Sequence, residues 1–175
     1  MIARRFPSGS LVAALVLAAA AALAAERAKL VPVPFAQVKM PTGFWAMWQQ
    51  INREKSVPHN LDTCEGTGRL RNFRQAAGVE KGPFRGHIFH DSDVFKVLEG
   101  VAYTLALEPD PKLEARLDEI IGWIAKTQRP DGYLNTYFLM AAPDKRWSNL
   151  AHDHELYCAG HMFEAAVAHF QATGK

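Results

Sequence analysis

From Gly43 onward the chain is a succession of apolar runs at helical spacing, each cut by a proline, a glycine or a capping aspartate. The clearest run is the fourth. Asp110 is placed to cap it, and Pro111 takes the first helical position, where a missing N–H costs nothing. Leu113, Leu117, Ile120, Ile121 and Ile124 form its stripe, and Pro130 closes it. The first run is read as a helix over Phe44 to Lys55, carrying Phe44, Trp45, Trp48 and Ile51 and stopping before Pro58. The second covers about Cys64 to Ala77, with Leu70 and Phe73 inward and Gly78 just past its end. The third starts at Asp91 or Ser92, with that residue as N-cap and an acidic first turn, and runs to Leu107. Val94, Phe95, Leu98, Ala102 and Leu105 share its stripe. The fifth leaves the stretch around Asp153, its expected N-cap, and stops at Gly174. Leu156, Met162, Phe163, Ala166, Val167 and Phe170 are its apolar residues, read as core. Strands are scarcely signalled, so the fold class is all-α.

The N-terminus follows a different logic. Arg4 and Arg5 precede an uninterrupted apolar stretch from Leu11 to Leu23, and Ala22-Leu23-Ala24 supplies small residues at a cleavage site. Residues 1–24 therefore read as a secretory signal peptide, too short in its apolar core to be read first as a membrane span; a retained anchor is the alternative. Removing Arg4 and Arg5 lowers the basic residues from 20 to 18, equal to the 18 acidic ones. A neutral mature chain argues against nucleic acid or an anionic membrane surface as partner. Export would carry Cys64 and Cys158 into an oxidising compartment, but sequence does not place them within reach of each other. Residues 25–42 hold Pro32, Pro34 and Pro41 and read as an extended lead-in, with at most one edge strand at Val31 to Val38.

Two connections carry the polar and aromatic residues. One is Gly82 to Asp93, with His87, His90, Asp91 and Asp93. The other is Gln128 to Phe138, continued by Arg146, Trp147, Ser148 and Asn149. Both end at a helix start, and both mix rings with Asp, Asn and His. Such groups suit a sugar, whose C–H face stacks on aromatics and whose hydroxyls donate and accept. Taken alone, Pro130-Asp131-Gly132 is equally an ordinary turn.

His152 to His161 is the densest polar stretch. His154, Cys158 and His161 fall at i, i+4 and i+7, one helical face, and these residue types bind zinc. The spacing is neither His-x3-His nor Cys-x2-Cys. Cys158 also reads as a small buried hydrophobe, His161 as a hydrogen-bonded core histidine, and His154 as a substrate contact at the helix mouth.

Three longer stretches settle a resemblance: PHNLDTCEGTGRLRNF (58–73), FRGHIFHDSDVFKVLEGVAYTLALEPDPKLEARLDEIIGWIAKTQRPDGYLNTYF (84–138) and HELYCAGHMFEAAVAHFQATGK (154–175). In this order they resemble the N-terminal part of a glycoside hydrolase family 127 protein, the β-L-arabinofuranosidase type. The resemblance runs from about Gly43 to Lys175. It implies an (α/α)6 barrel of inner and outer helices with its cleft where the loops gather, and hydrolysis of terminal β-L-arabinofuranosyl residues with retention. The expected partner is an arabinofuranoside-containing oligosaccharide.

The resemblance also implies a cysteine nucleophile beside a zinc ion held by cysteines and a glutamate, with a separate glutamate as acid/base, all in the second half of the catalytic domain. The five helical runs fall short of the barrel's twelve, so residues 43–175 are expected to be the truncated N-terminal portion. No catalytic or metal residue is assigned, and no zinc is expected on this chain, which should be inactive alone. His154 aligns with a sugar-contacting histidine of the family. Asp91, Asp93, His87 and His90 are expected to face the cleft. The rival readings are another six-hairpin enzyme acting on uronic acid sugars and a non-catalytic sugar-binding half-barrel.

Overall fold

The computed structural model describes residues 30–175. The expected signal peptide and the start of the expected lead-in lie outside the described residues. The chain divides into two compact units, Met1–Gln37 and Val38–Lys175. In the first, the described residues hold a single 3-10 turn, Phe35–Gln37, and no strand. The edge strand that the sequence allowed at Val31 to Val38 does not form, and Pro32 and Pro34 there remove two ladder donors.

The second unit is built of helices, and no strand occurs among the described residues. Helix α1 spans Phe44–Ile51 and does not end before Pro58. It passes through a π-helical turn, Asn52–Ser56, into α2, Val57–Gly66. The Val57 N–H reaches back five residues to the Asn52 carbonyl. A proline normally collides with the carbonyl four residues before it, and widening the helix just ahead of Pro58 relieves that approach.

The expected second helix is divided. Thr67 closes α2, Gly68 takes a left-handed conformation (φ 83°), and α3 runs Arg69–Ala76. Gly78 ends α3 as expected. Its N–H donates to the Gln75 carbonyl and that of Val79 to Arg74, which satisfies two otherwise open carbonyls.

Helix α4 spans His90–Leu107 with Phe89 at its N-cap, and no side chain caps it. Asp91 and Ser92 lie inside its first turn, so neither is the cap. Helix α5 spans Pro111–Thr127, and Asp110 accepts from the N–H groups of Lys112 and Leu113 at 3.0 and 3.1 Å. A short helix, α6, Thr136–Met140, stands in a stretch expected to be loop. Asn135 caps it through the Phe138 N–H at 3.1 Å. Helix α7 spans Glu155–Thr173 and ends at Gly174 in the left-handed region.

The core gathers on α4. Val94, Phe95, Leu98, Val101 and Leu105 pack with Leu70 and Phe73 of α3, Leu117 and Ile120 of α5, and Cys158 and Ala165 of α7. Helices α4 and α7 lie side by side with their N-termini together. The Cys158 thiol points to the Phe89 carbonyl at 3.8 Å, and Lys96 Nζ lies 2.7 Å from the Tyr157 hydroxyl.

The face of α7 that meets α4 is not the expected one. Cys158, Ala165 and Ala168 are buried, and Met162 packs on the core, while Leu156, Phe163, Ala166, Val167 and Phe170 are exposed. Small residues let the two backbones approach, and the bulkier stripe lies on another side. Phe44, Trp45, Met47 and Trp48 of α1 are exposed as well. An array of paired helices with apolar residues on more than one side is what part of an (α/α) barrel presents. No helix among the described residues is long and apolar enough to cross a membrane.

Candidate functional site

The N-termini of α4 and α7 meet at one end of the pair, and the sequence places its rings there. Gly86 makes the approach to α4 possible. Its φ is 98°, and a Cβ on it would overlap the imidazole of His90. His90 is buried; its Nε2 accepts from the His87 N–H at 3.3 Å, and its Nδ1 has no protein partner. Burial, and then the Arg69 charge, lower its pKa, so the ring is neutral at neutral pH.

Outside it runs a row of rings. His87 stacks on Phe89 at 5.3 Å and 3°. Phe89 meets His154 at 5.3 Å, His154 meets Tyr157 at 5.8 Å, and Tyr157 meets His161 at 4.6 Å. His154 is the N-cap of α7 in place of the expected Asp153, and its φ of 57° is rare for a residue with a side chain. Its Nδ1 lies 2.7 Å from the His152 carbonyl. A carbonyl only accepts, so Nδ1 carries the proton and Nε2 is left as an acceptor.

The five candidate contacts are not brought into one cluster. His87 and His154 are exposed members of the ring row, and His90 lies beneath it. Asp93 is half-buried, paired with Arg69 Nε at 2.8 Å and with Lys96 at 4.0 Å. Asp91 turns inward and is 2% exposed. Its two oxygens accept from the Thr136 N–H, at 2.7 Å, and from the Thr136 hydroxyl. Burial pushes the Asp91 pKa up to about 6, against the pull of the Thr136 donors. The inward turn of Asp91 corrects the expectation that it faces a cleft.

A second constellation was not anticipated. Glu155, the first residue of α7, is buried, and its carboxylate accepts from the Tyr133 hydroxyl and, at 2.8 Å, from the Trp147 N–H. Trp147 is, among the described residues, the other non-glycine one with positive φ, 59°. Its indole meets the Tyr133 ring edge-on at 5.2 Å, and Arg146 lies over that ring at 3.7 Å while pairing with Asp131 at 2.8 Å. The sequence placed these residues in sugar-compatible loops but gave no sign of the clamp, whose partners are 22 residues apart.

An open groove of about 690 Å3 lies elsewhere, where α1 passes the end of α4. Gln49, Gln50, Asn52 and Thr104 line it, with Arg53 paired to Glu108. It holds none of the candidate residues.

The family profile of the β-L-arabinofuranosidase GH127 catalytic domain matches residues 37–175. The chain belongs to this family. It is 45% identical over 109 residues to a non-reducing end β-L-arabinofuranosidase of Bifidobacterium longum subsp. longum, covering 60% of this chain and 17% of that protein. It superposes on the crystal structure of a GH127 β-L-arabinofuranosidase from Geobacillus stearothermophilus T6 with a TM-score of 0.78 at 44% identity, covering 79% of this chain and 23% of that one. A second GH127 β-arabinofuranosidase structure gives 0.75 at 42% identity, over 82% and 24%. The chain thus spans about a fifth of the length of these GH127 proteins, and its helices correspond to part of their fold.

The zinc centre that the GH127 resemblance implies does not fit the residues described here. Among them no three His, Cys, Asp or Glu side chains come together as a metal group. Cys64 and Cys158 are both free and buried, and burial pushes their thiols up to about 11 and about 12, so neither offers a thiolate at neutral pH. His161 pairs with Glu164 at 2.9 Å, and His154 is turned to the His152 carbonyl. The three residues spaced for zinc therefore have separate partners.

Proposed function

We propose that this chain serves a GH127 glycosidase acting on terminal β-L-arabinofuranosyl residues, and that its part is to contact the sugar. Hydrolysis with retention, an oligosaccharide substrate and export by the leader at residues 1–24 belong to this reading. The observation that carries it is His154. A residue held at φ 57° by its own loop, with Nδ1 fixed by the His152 carbonyl, presents Nε2 as an acceptor beside the face of Phe89. Strain of this kind costs about 1–3 kcal/mol and persists where the surrounding structure imposes it. A sugar hydroxyl can donate to Nε2 while a C–H face rests on the rings of Phe89 and His87. Asp93, held by Arg69, is the half-buried candidate acceptor in the first turn of α4.

The test is a titration with methyl β-L-arabinofuranoside, followed by the imidazole resonances of His154, with methyl glucuronide as the counter-probe. Arabinofuranoside should displace the His154 signals. His154→Gly, which accepts the left-handed backbone, should weaken binding by about 5- to 150-fold, the equivalent of roughly 1–3 kcal/mol for an unmet hydrogen bond. A response to the glucuronide alone would favour a uronic acid enzyme, and no response to either would reject the site.

A further inference from the structure

We propose that Trp147 is an aromatic platform for the sugar unit that neighbours the terminal arabinofuranosyl residue, and that Glu155 is its positioning residue. The proposal rests on the reading of His154 as the contact to the terminal sugar. Trp147 is 48% exposed, yet it is among the most constrained residues of its loop. Its φ of 59° is one that a bulky side chain rarely adopts. Its N–H is held by the buried Glu155 carboxylate at 2.8 Å, and its ring abuts Tyr133 edge-on. The next residue is fixed too: the Ser148 N–H and hydroxyl both donate to the Lys145 carbonyl, at 3.2 and 2.7 Å.

A buried carboxylate could have been spent on the core. Here it is spent on the backbone of an exposed indole. The same residue directly follows His154 in sequence, so the platform and the terminal-sugar contact share one anchor at the start of α7. Arg146 is drawn over the Tyr133 ring and onto Asp131, and Tyr133 is buried, while the indole stays open to solvent. An exposed, rigid indole offers a flat apolar face at little entropic cost, and the C–H face of a pyranose or furanose ring is its natural partner. Arg146, the cation next to Trp147 in the chain, is already paired with Asp131.

The proposal predicts a difference between two ligands, methyl β-L-arabinofuranoside and a β-L-arabinofuranosyl disaccharide. On the intact protein, the disaccharide should shift both the His154 imidazole and the Trp147 indole N–H resonances, and the methyl glycoside should shift His154 alone. Trp147→Gly keeps the backbone conformation and removes the ring. It should weaken the disaccharide about 3- to 10-fold and leave the methyl glycoside unchanged, while Trp147→Phe, which keeps a ring, should lose less. Unchanged disaccharide affinity in Trp147→Gly would overturn the platform and leave the reading of His154 standing. Equal weakening of both ligands would also overturn it, since that is the mark of a loop support. If neither ligand binds the unaltered protein, both readings fall.

Discussion

Replacing Asp91 by Asn probes the most unusual carboxylate of the structure. Asp91 is buried, and its pKa is pushed up from 3.8 to about 6. The folded state thus holds the Asp91 proton more tightly than the unfolded chain. The stabilisation from this group is fully present below pH 3.8, is lost as pH rises towards about 6, and is constant and absent above that. A shift of this size corresponds to about 3 kcal/mol, of which roughly half is lost above pH 5. Asn does not titrate, and its amide can keep both contacts: the carbonyl oxygen accepts the Thr136 N–H, and the NH2 donates to the Thr136 hydroxyl oxygen.

The stability of Asp91→Asn relative to the unaltered protein should therefore rise by about 1 kcal/mol between pH 5 and pH 7, or roughly 2–4 °C in melting temperature. Glu65, Glu80 and Asp131 are held low, each first by a hydrogen bond to an arginine, and are common to both proteins, so they cancel in the difference. Urea unfolding followed by far-UV circular dichroism at half-unit pH steps gives the curve. A flat difference would show that Asp91 is not desolvated as the structure places it. A difference of opposite slope would show that the two Thr136 donors outweigh burial.

Three further outcomes follow from single contacts. Gly86→Ala should destabilise by at least about 2 kcal/mol, because φ 98° is hostile to a side chain and the added Cβ overlaps His90; in urea unfolding, His90→Ala should recover the overlap part and make the pair non-additive. Tyr133→Phe leaves one Glu155 oxygen without its donor and should cost about 1–3 kcal/mol in urea unfolding while altering the near-UV signal of Trp147; no change in either would remove Glu155 as the anchor of that loop. The uncovered stripe of α7 should bind a hydrophobic dye, and Phe163→Glu with Phe170→Glu should reduce dye fluorescence while shifting the melting temperature by only a few degrees, since both rings face solvent.

The start of helix α5 was legible to the residue because everything that specifies it is local: a capping Asp110, a first-position Pro111 and one apolar stripe. The π turn ahead of Pro58 was not, because the rule that proline ends a helix assumes an ordinary helix before it, and the chain changes helix type instead. Helix α6 is too short for periodicity to register; only Asn135 marks it. In α7 the apolar pattern identified which residues avoid water without saying which of them this array covers. Ala165 and Ala168 carry little hydrophobic signal, yet they are the residues small enough to let α4 approach.

The site shows the same division between local and distant information. The rings around His154 could be read from composition and resemblance, because exposed rings in loops have few other uses. The two buried carboxylates could not. Asp91 stands in the first turn of α4 and Glu155 in the first turn of α7, each where a negative charge is favoured by the helix end. Each accepts one backbone N–H and one hydroxyl: Thr136 supplies both to Asp91, and Trp147 and Tyr133 supply them to Glu155. All four donors belong to the connection between α5 and α7. The two parallel helices therefore clamp one long loop by the same chemistry at two points, and that loop carries Trp147 and leads into His154. Asp91, which looks like a sugar contact in the sequence, and Glu155, which does not, both act on the loop backbone, fixing the segment that presents the rings.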